Sequence, residues 1–219
     1  MTDSTSKASR HVEVERKFDV PGSVTMPSFE GIVGVSWIEK LPVQTLAAIY
    51  FDTAAHDLAT KKITLRRRTG GLDAGWHLKL PASPDARTEV RAALGAVANP
   101  EDDPIPGELL AMVREIVADR PLAPVAWVTT TREVHRLYGP NDTALAEFCD
   151  DLVTAQAIAA CDASALTPAE QHWREWELEL LSAGANLELL DRLGERLIHA
   201  GAQPAGHGSK LARVLDAFG

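Results

Sequence analysis

The chain has 219 residues, 45% hydrophobic and 24% charged, values that exclude a disordered protein and allow one large folded domain or two small ones. Its net charge of −9, from 22 Lys and Arg against 31 Asp and Glu, supplies no overall basic field for nucleic acid, and no uncharged apolar run approaches the ~20 residues of a membrane span. Cys149 and Cys161 are too few for a disulfide framework and too far apart for a Cys-x-x-Cys metal site; with no secretory signal at the start, the expected location is cytoplasmic.

Residues 1–10, rich in Ser and Thr, read as a frayed tail, and 11–219 as one domain. Strands are expected over 11–20, 44–52, 63–68 and 76–80. An acidic, proline-bearing stretch from Pro100 to Pro106, either a linker or a loop, leads into a helix over 108–119 with Leu109, Leu110, Val113, Ile116 and Val117 at helical spacing. Further strands are expected over 126–137, 144–151 and 173–181. A helix over 186–199 follows, carrying Leu187, Leu190, Leu193, Leu197 and Ile198 and closing at Gly201. A short helix over 210–218, capped by Ser209, has Leu211, Val214, Leu215 and Phe218 on one side. This is an antiparallel meander with a few helices, an α+β arrangement without the strand-helix alternation of a parallel sheet.

The strands share an unusual polar face. In the first, His11, Glu13, Glu15 and Lys17 alternate with Val12, Val14, Phe18 and Val20 nearby. Thr64, Arg66 and Arg68 form such a face, as do His77 with Lys79, Glu147 with Cys149 and Asp151, and Glu175 with Glu177 and Glu179. One amphipathic strand with a solvated side would be ordinary. Here acidic strands and basic strands are segregated, which suggests opposite walls of a closed sheet with the charges inside and the helices covering apolar outer faces. Charges buried in that way need compensation, and a polyanion together with divalent cations supplies it. The carboxylates offer hard oxygen ligands suited to Mg2+ or Mn2+, and the arginines can hold phosphate oxygens bidentately. Asp150 and Asp151 leave the register of that strand open, with Asp151 favoured by its spacing from Glu147.

The segment Glu13-Val-Glu15-Arg-Lys17 resembles the Glu-x-Glu-x-Lys signature of the CYTH domain, within the triphosphate tunnel metalloenzyme superfamily. Tyr50-Phe51-Asp52-Thr53, Leu65-Arg66-Arg67-Arg68, Trp76-His77-Leu78-Lys79, Arg87-Thr88-Glu89, Glu147 to Asp151, Glu177-Leu178-Glu179 and Ser209-Lys210 resemble its later motifs in order. The resemblance implies a closed antiparallel eight-stranded β-barrel with flanking helices, enclosing a triphosphate tunnel. It implies Mg2+ or Mn2+ held by Glu13, Glu15, Asp151, Glu177 and Glu179, and phosphate held by Lys17, Arg66, Arg68, Lys79, Arg132 and Lys210. Arg87 and Arg136 are further phosphate-binding candidates, with rim or loop positions as the alternative. Glu13, Glu15, Lys17, Lys79 and Glu177 are the implied catalytic set.

The implied reaction is hydrolysis of the terminal phosphoanhydride of inorganic triphosphate or a nucleoside triphosphate by a metal-activated water. A non-catalytic polyphosphate-binding or triphosphate-binding module is the alternative, as is an adenylate cyclase or thiamine triphosphatase of the same fold. Segments 146–153 and 173–180 also resemble actinobacterial proteins in which a CYTH domain precedes a helical, polyphosphate-associated CHAD domain. A CHAD domain, on a missing C-terminal half or a separate chain, is therefore an implied partner, and both an excised half and a stand-alone relative stay open. Gly206-His-Gly-Ser-Lys210 lacks the order of a phosphate loop. Cys149 is expected to fill space between carboxylates. The tryptophans are expected to pack between strands and helices, with a nucleobase or thiamine platform at the tunnel mouth as the alternative for one of them.

Overall fold

The computed structural model describes residues 8–83, 85–96, 103–158, 169–181 and 187–217; Cys161, Asn186, Phe218 and the start of the Pro100 to Pro106 stretch lie outside them. The elements, in chain order, are β1 (Ser9–Asp19), β2 (Trp37–Lys40), β3 (Gln44–Asp52), α1 (Asp57–Thr60), β4 (Thr64–Thr69), β5 (Gly75–Ser83), β6 (Ala86–Ala92), α2 (Gly107–Val117), β7 (Ala123–Tyr138), β8 (Ala144–Ala157), β9 (Gln171–Leu180), α3 (Leu187–His199), β10 (Gln203–Pro204) and α4 (Lys210–Asp216). Strand β1 takes in Ser9 and Arg10, which the sequence reading assigned to the tail, and β8 runs six residues beyond the predicted end at Asp151.

Antiparallel pairing closes a barrel in the order β1-β6-β5-β4-β3-β7-β8-β9 and back to β1. Closure runs through β1 itself: Ser9 to Val14 pair with β6, and Glu15 to Asp19 pair with β9. The eighth strand is β6, whose alternation is blurred because Thr88 sits among its outward residues. Strand β2 extends the β3 position along β7, with Trp37 opposite Tyr138, and β10 adds two residues beside the end of β1. The turn after β4 depends on Gly70, which has φ +78; a Cβ there would stand 2.1 Å from the Thr45 carbonyl oxygen, so no other residue fits.

Two helices cover outer faces as expected. Leu189, Leu190, Leu193 and Leu197 of α3 pack on Phe18, Phe148, Trp176 and Leu178. Leu109, Val113 and Val117 of α2 pack on Leu65, Trp76, Leu78 and Val90. Helix α4 does something else. Its Leu211 and Val214 pack against Tyr50, Val128, Val153 and Ala155. These residues share the faces of Arg132 and Asp151, which point into the barrel, so α4 is a stopper in one end of the bore. The inward faces turn apolar at that end because small and branched residues replace the charges, and a short amphipathic helix is what fills the space.

Candidate functional site

The remaining bore is a cavity of about 460 Å³ whose lining includes every inward charge of β1, β4, β5, β6, β7 and β9 named above except the deepest. Going round the barrel, β8, β9 and β1 are neighbours, which gathers Glu147, Asp151, Glu175, Glu177, Glu179, Glu13 and Glu15 on one side. Strand β4 lies four places from β9, so Arg66 and Arg68 stand across the bore from Glu177 and Glu179. Segregation is incomplete: β6 alternates sign through Arg87, Glu89 and Arg91, and Lys17 stands within the acidic wall.

The deep end is organised around Glu177. Lys17 Nζ donates to Glu177 Oε1 at 2.6 Å and to Glu15 Oε2 at 2.7 Å. Arg132 grips Asp151 with Nε and Nη2 and reaches Glu177 Oε2 at 2.6 Å. Lys210, the first residue of α4, places Nζ at 2.8 Å from Asp151, 2.7 Å from Glu175 and 3.0 Å from Glu177. The stopper therefore carries its own cation into the site. Asp151 is fully buried, whereas Asp150 pairs with Arg174 on the outside, which resolves the register in favour of Asp151.

A second group is organised around Glu13 and Glu89. Glu13 contacts Lys79 and lies 3.4 Å from His11 and 3.3 Å from Arg91. Glu89, fully buried, contacts Arg91 and receives His77 Nδ1 at 2.9 Å. Arg66 donates to the Tyr50 hydroxyl at 3.2 Å, and Arg68 contacts Asp73. The Nε groups of Arg66 and Arg68 are buried and meet no acceptor among the described residues. Arg87 donates to the Gly208 carbonyl at 2.5 Å and lies 3.8 Å from Glu15; Arg136 donates to Glu147 at 2.8 and 2.5 Å. Both line the cavity, Arg87 18% and Arg136 31% exposed.

Electrostatics sort the carboxyls into two kinds. Burial opposes charge on Glu15, Asp151 and Glu177, but the nearby cations prevail: Lys17 and Lys79 bring Glu15 down to about 2, and Lys210, Arg132 and Lys17 hold the other two low. Glu179 is the opposite case. Burial and the nearby charges of Glu13, Glu15 and Glu177 push it up to about 7, only partly offset by Lys79. Burial, with Arg66 and Arg68 adding to it, pushes His77 down to about 4, so it sits in the wall as a neutral ring. Burial pushes the Cys149 thiol up to about 12, consistent with a space-filling role.

Two compact groups place three possible ligand atoms within 4.8 Å of one another: His11 with Glu13 and Glu89, and Asp151 with Glu175 and Glu177. The carboxylate-only group fits Mg2+ or Mn2+ by its hard oxygen donors. The raised Glu179 also fits: three neighbouring carboxylates crowd it, and a divalent cation would relieve that crowding. Among the metal candidates, Asp151 and Glu177 fall in one group and Glu13 in the other, while Glu15 and Glu179 face each other across β1 and β9 without joining either. Glu89, Glu175, His11, Arg91 and Tyr50 are site residues that the sequence reading did not assign. For His11 and Glu175 the signal was present, since both were on the polar faces; Glu89 stood in the Arg87-Thr88-Glu89 motif without a role, and for Arg91 the signal was lost with β6.

Residues 11–198 match the CYTH domain family. Two uncharacterised proteins of Mycobacterium tuberculosis, Rv2226 of strain H37Rv and MT2285 of strain CDC 1551, are each 58% identical over 216 residues. The match takes in 96% of this chain and 41% of each of them, so the chain spans about two-fifths of the length of these relatives. Among solved structures, the Bacillus halodurans protein bh2851, named as a candidate adenylate cyclase, superposes with a TM-score of 0.60 at 17% identity, covering 93% of this chain and 97% of that one. The PH1819 protein of Pyrococcus horikoshii gives 0.53 at 17% identity, covering 94% and 99%. These two likenesses concern the fold.

Proposed function

Since this chain belongs to the CYTH domain family, we propose that it is a metal-dependent triphosphatase, cleaving the terminal phosphoanhydride of inorganic triphosphate or of a nucleoside triphosphate inside the charged barrel. The observation that carries this reading is the pair of buried guanidinium Nε groups, on Arg66 and Arg68, that meet no acceptor among the described residues and stand across the bore from the ionised Glu177. Buried donors without partners are costly, and phosphate oxygens are acceptors of the right charge.

In this reading Arg66, Arg68, Lys79, Arg87, Arg132 and Arg136 run along the bore and would exchange their present carboxylate contacts for phosphate oxygens. Lys17, which touches both Glu15 and Glu177, and Lys210, which is fixed by Ser209 capping α4, would neutralise charge developing at the terminal phosphoryl group. Glu13, Glu15, Asp151, Glu177 and Glu179 would hold Mg2+ or Mn2+, with Glu175 joining them. The bound ion supplies Lewis-acid polarisation of phosphoryl oxygen and lowers the pKa of water. Helix α4 keeps bulk solvent from the deep end, which strengthens these interactions. The reading carries with it a cytoplasmic setting and a CHAD domain as partner.

The test is orthophosphate release from inorganic triphosphate and from ATP with Mg2+, with Mn2+ and with chelator, for the wild-type protein and for Glu177→Ala. Metal-dependent release lost in the variant is expected. Cyclic AMP with pyrophosphate instead of orthophosphate from ATP would make the protein a cyclase, and tight binding without release would make the tunnel a receptor.

A further inference from the structure

The group around Glu13 carries a donor that the deep carboxylates lack. Strand β1 puts His11 and Glu13 on one face, two residues apart, and pairs His11 directly with Glu89 of β6. An imidazole and two carboxylates thus share one patch of the bore wall, and all three line the cavity. His11 Nε2 lies 3.4 Å from Glu13 Oε1 and 3.4 Å from Glu89 Oε2. Donors that share one cation at about 2.0–2.2 Å stand roughly 3–3.5 Å apart around it, so the trio already has the spacing of three ligands.

Two buried carboxylates meet here, Glu13 at 2% exposure and Glu89 at 0%. Like charges so close and out of water need a positive charge between them. Arg91 supplies one: its Nη2 is 3.3 Å from Glu13 Oε1 and its Nε touches Glu89 Oε2, the same two oxygens that face His11. The guanidinium marks a position where these oxygens already hold a cation. Arg91 is 35% exposed, so its side chain has room to turn outward and leave both oxygens to an ion, with water completing the shell beside the half-buried His11. Glu13 Oε2, buried and touched by Lys79, accepts no hydrogen bond among the described residues. His77 contacts the other Glu89 oxygen, Oε1, and stands outside the trio.

The donor set selects the ion. Mg2+ prefers oxygen ligands throughout, whereas one imidazole, two carboxylates and a water make a set suited to Zn2+. We propose that His11, Glu13 and Glu89 form a Zn2+ site, separate from the oxygen-only group at Asp151, Glu175 and Glu177, which the ion enters by displacing the Arg91 guanidinium. Glu13 also belongs to the Mg2+ or Mn2+ set of the triphosphatase reading, and on that reading Zn2+ held here opposes turnover; the site itself stands on binding alone.

The experiment is a calorimetric titration of the substrate-free protein with Zn2+, paired with the visible absorption of Co2+ as a stand-in, for the wild type, His11→Gln, Arg91→Gln and Glu177→Ala. The wild type is expected to bind Zn2+ in a site that excess Mg2+ does not empty and to give the intense bands of four-coordinate Co2+. Zn2+ affinity is expected to fall about tenfold or more in His11→Gln. It is expected to rise in Arg91→Gln, where the competing guanidinium is gone, a gain that misfolding cannot imitate. Glu177→Ala is expected to keep the site. Equal Zn2+ affinity in the wild type and His11→Gln, or displacement of Zn2+ by equimolar Mg2+, overturns the proposal. Orthophosphate release with Mg2+ is measured separately: release without a His11-dependent Zn2+ site removes this inference alone, and a His11-dependent site without release removes the hydrolase reading alone.

Discussion

Arg132 meets Asp151 edge-on, Nε at 2.7 Å from one carboxylate oxygen and Nη2 at 2.6 Å from the other, and the same Nη2 reaches Glu177. The planar fork thus ties β7 to β8 and β9 in a place from which water is nearly excluded. Lysine cannot reproduce this, since an ammonium is a point donor. Arg132→Lys is expected to fold and to lose at least tenfold in kcat/KM for triphosphate, with far smaller loss for Arg174→Lys, whose pairing with Asp150 lies outside the barrel. Comparable losses in the two variants would remove Arg132 from the site.

Removing Asp151 itself leaves Arg132 and Lys210 buried with a carboxylate missing. Loss of one member of a buried ion network costs about 3–5 kcal/mol. Asp151→Ala is therefore expected to show a markedly lower urea midpoint without ligand, partly restored by Lys210→Met in the same chain. A midpoint within error of the wild type would mean that the network is solvated.

Glu179 sets a pH dependence. Its carboxyl has a folded-state pKa of about 7 against an ordinary value of 4.5, so the folded protein retains a proton that the unfolded chain has released. Stability is therefore unaffected below pH 4.5, declines as pH rises from 4.5 to 7, and carries a constant penalty above that. Glu179→Gln removes the penalty and is expected to stabilise the metal-free protein by about 1–3 kcal/mol at pH 8, the gain vanishing toward pH 4.5. Denaturant titrations at the two pH values check this; a gain independent of pH counts against it.

Cys149 faces the site between carboxylates and beside Arg132, yet burial keeps it a thiol far above neutral pH. In a Cys161→Ser background it is expected to react with a thiol reagent only on unfolding, and Cys149→Ala is expected to keep turnover. Fast labelling of the folded protein would show that the deep end is open to solvent.

The stopper makes the last prediction. Leu211 is almost completely buried and Val214 entirely so, both against inward faces. Leu211→Ala is expected to cost about 2–5 kcal/mol. It is also expected to lower turnover, because Lys210 sits one residue away and depends on the seating of α4. Unchanged turnover with lowered stability would separate packing from positioning.

Much of this was legible from alternation. The polar faces of β1, β4, β5, β8 and β9 could be read residue by residue because charge alternates there with apolar side chains, and they supplied most of the site. Strand β6 was not read as a strand because Thr88 replaces an apolar residue; Arg87-Thr88-Glu89 was noticed only as a motif, and Arg91 was missed. Helix α4 was seen as a helix but given the wrong side of the wall, since its apolar stripe is the same whether it covers a barrel or fills one.

Closing the barrel through β1 has a consequence for how the chain folds. The bond between Lys17 and Glu177 spans 160 residues, so β1 waits for β9 to be made before its second edge is covered. Such nonlocal closure makes folding slow and leaves a strand edge available to other chains in the meantime. The charged residues that later build the tunnel, spaced at every second position along β1, discourage that edge from pairing wrongly while it waits. The chemistry of the site and the solubility of the nascent chain thus draw on the same side chains.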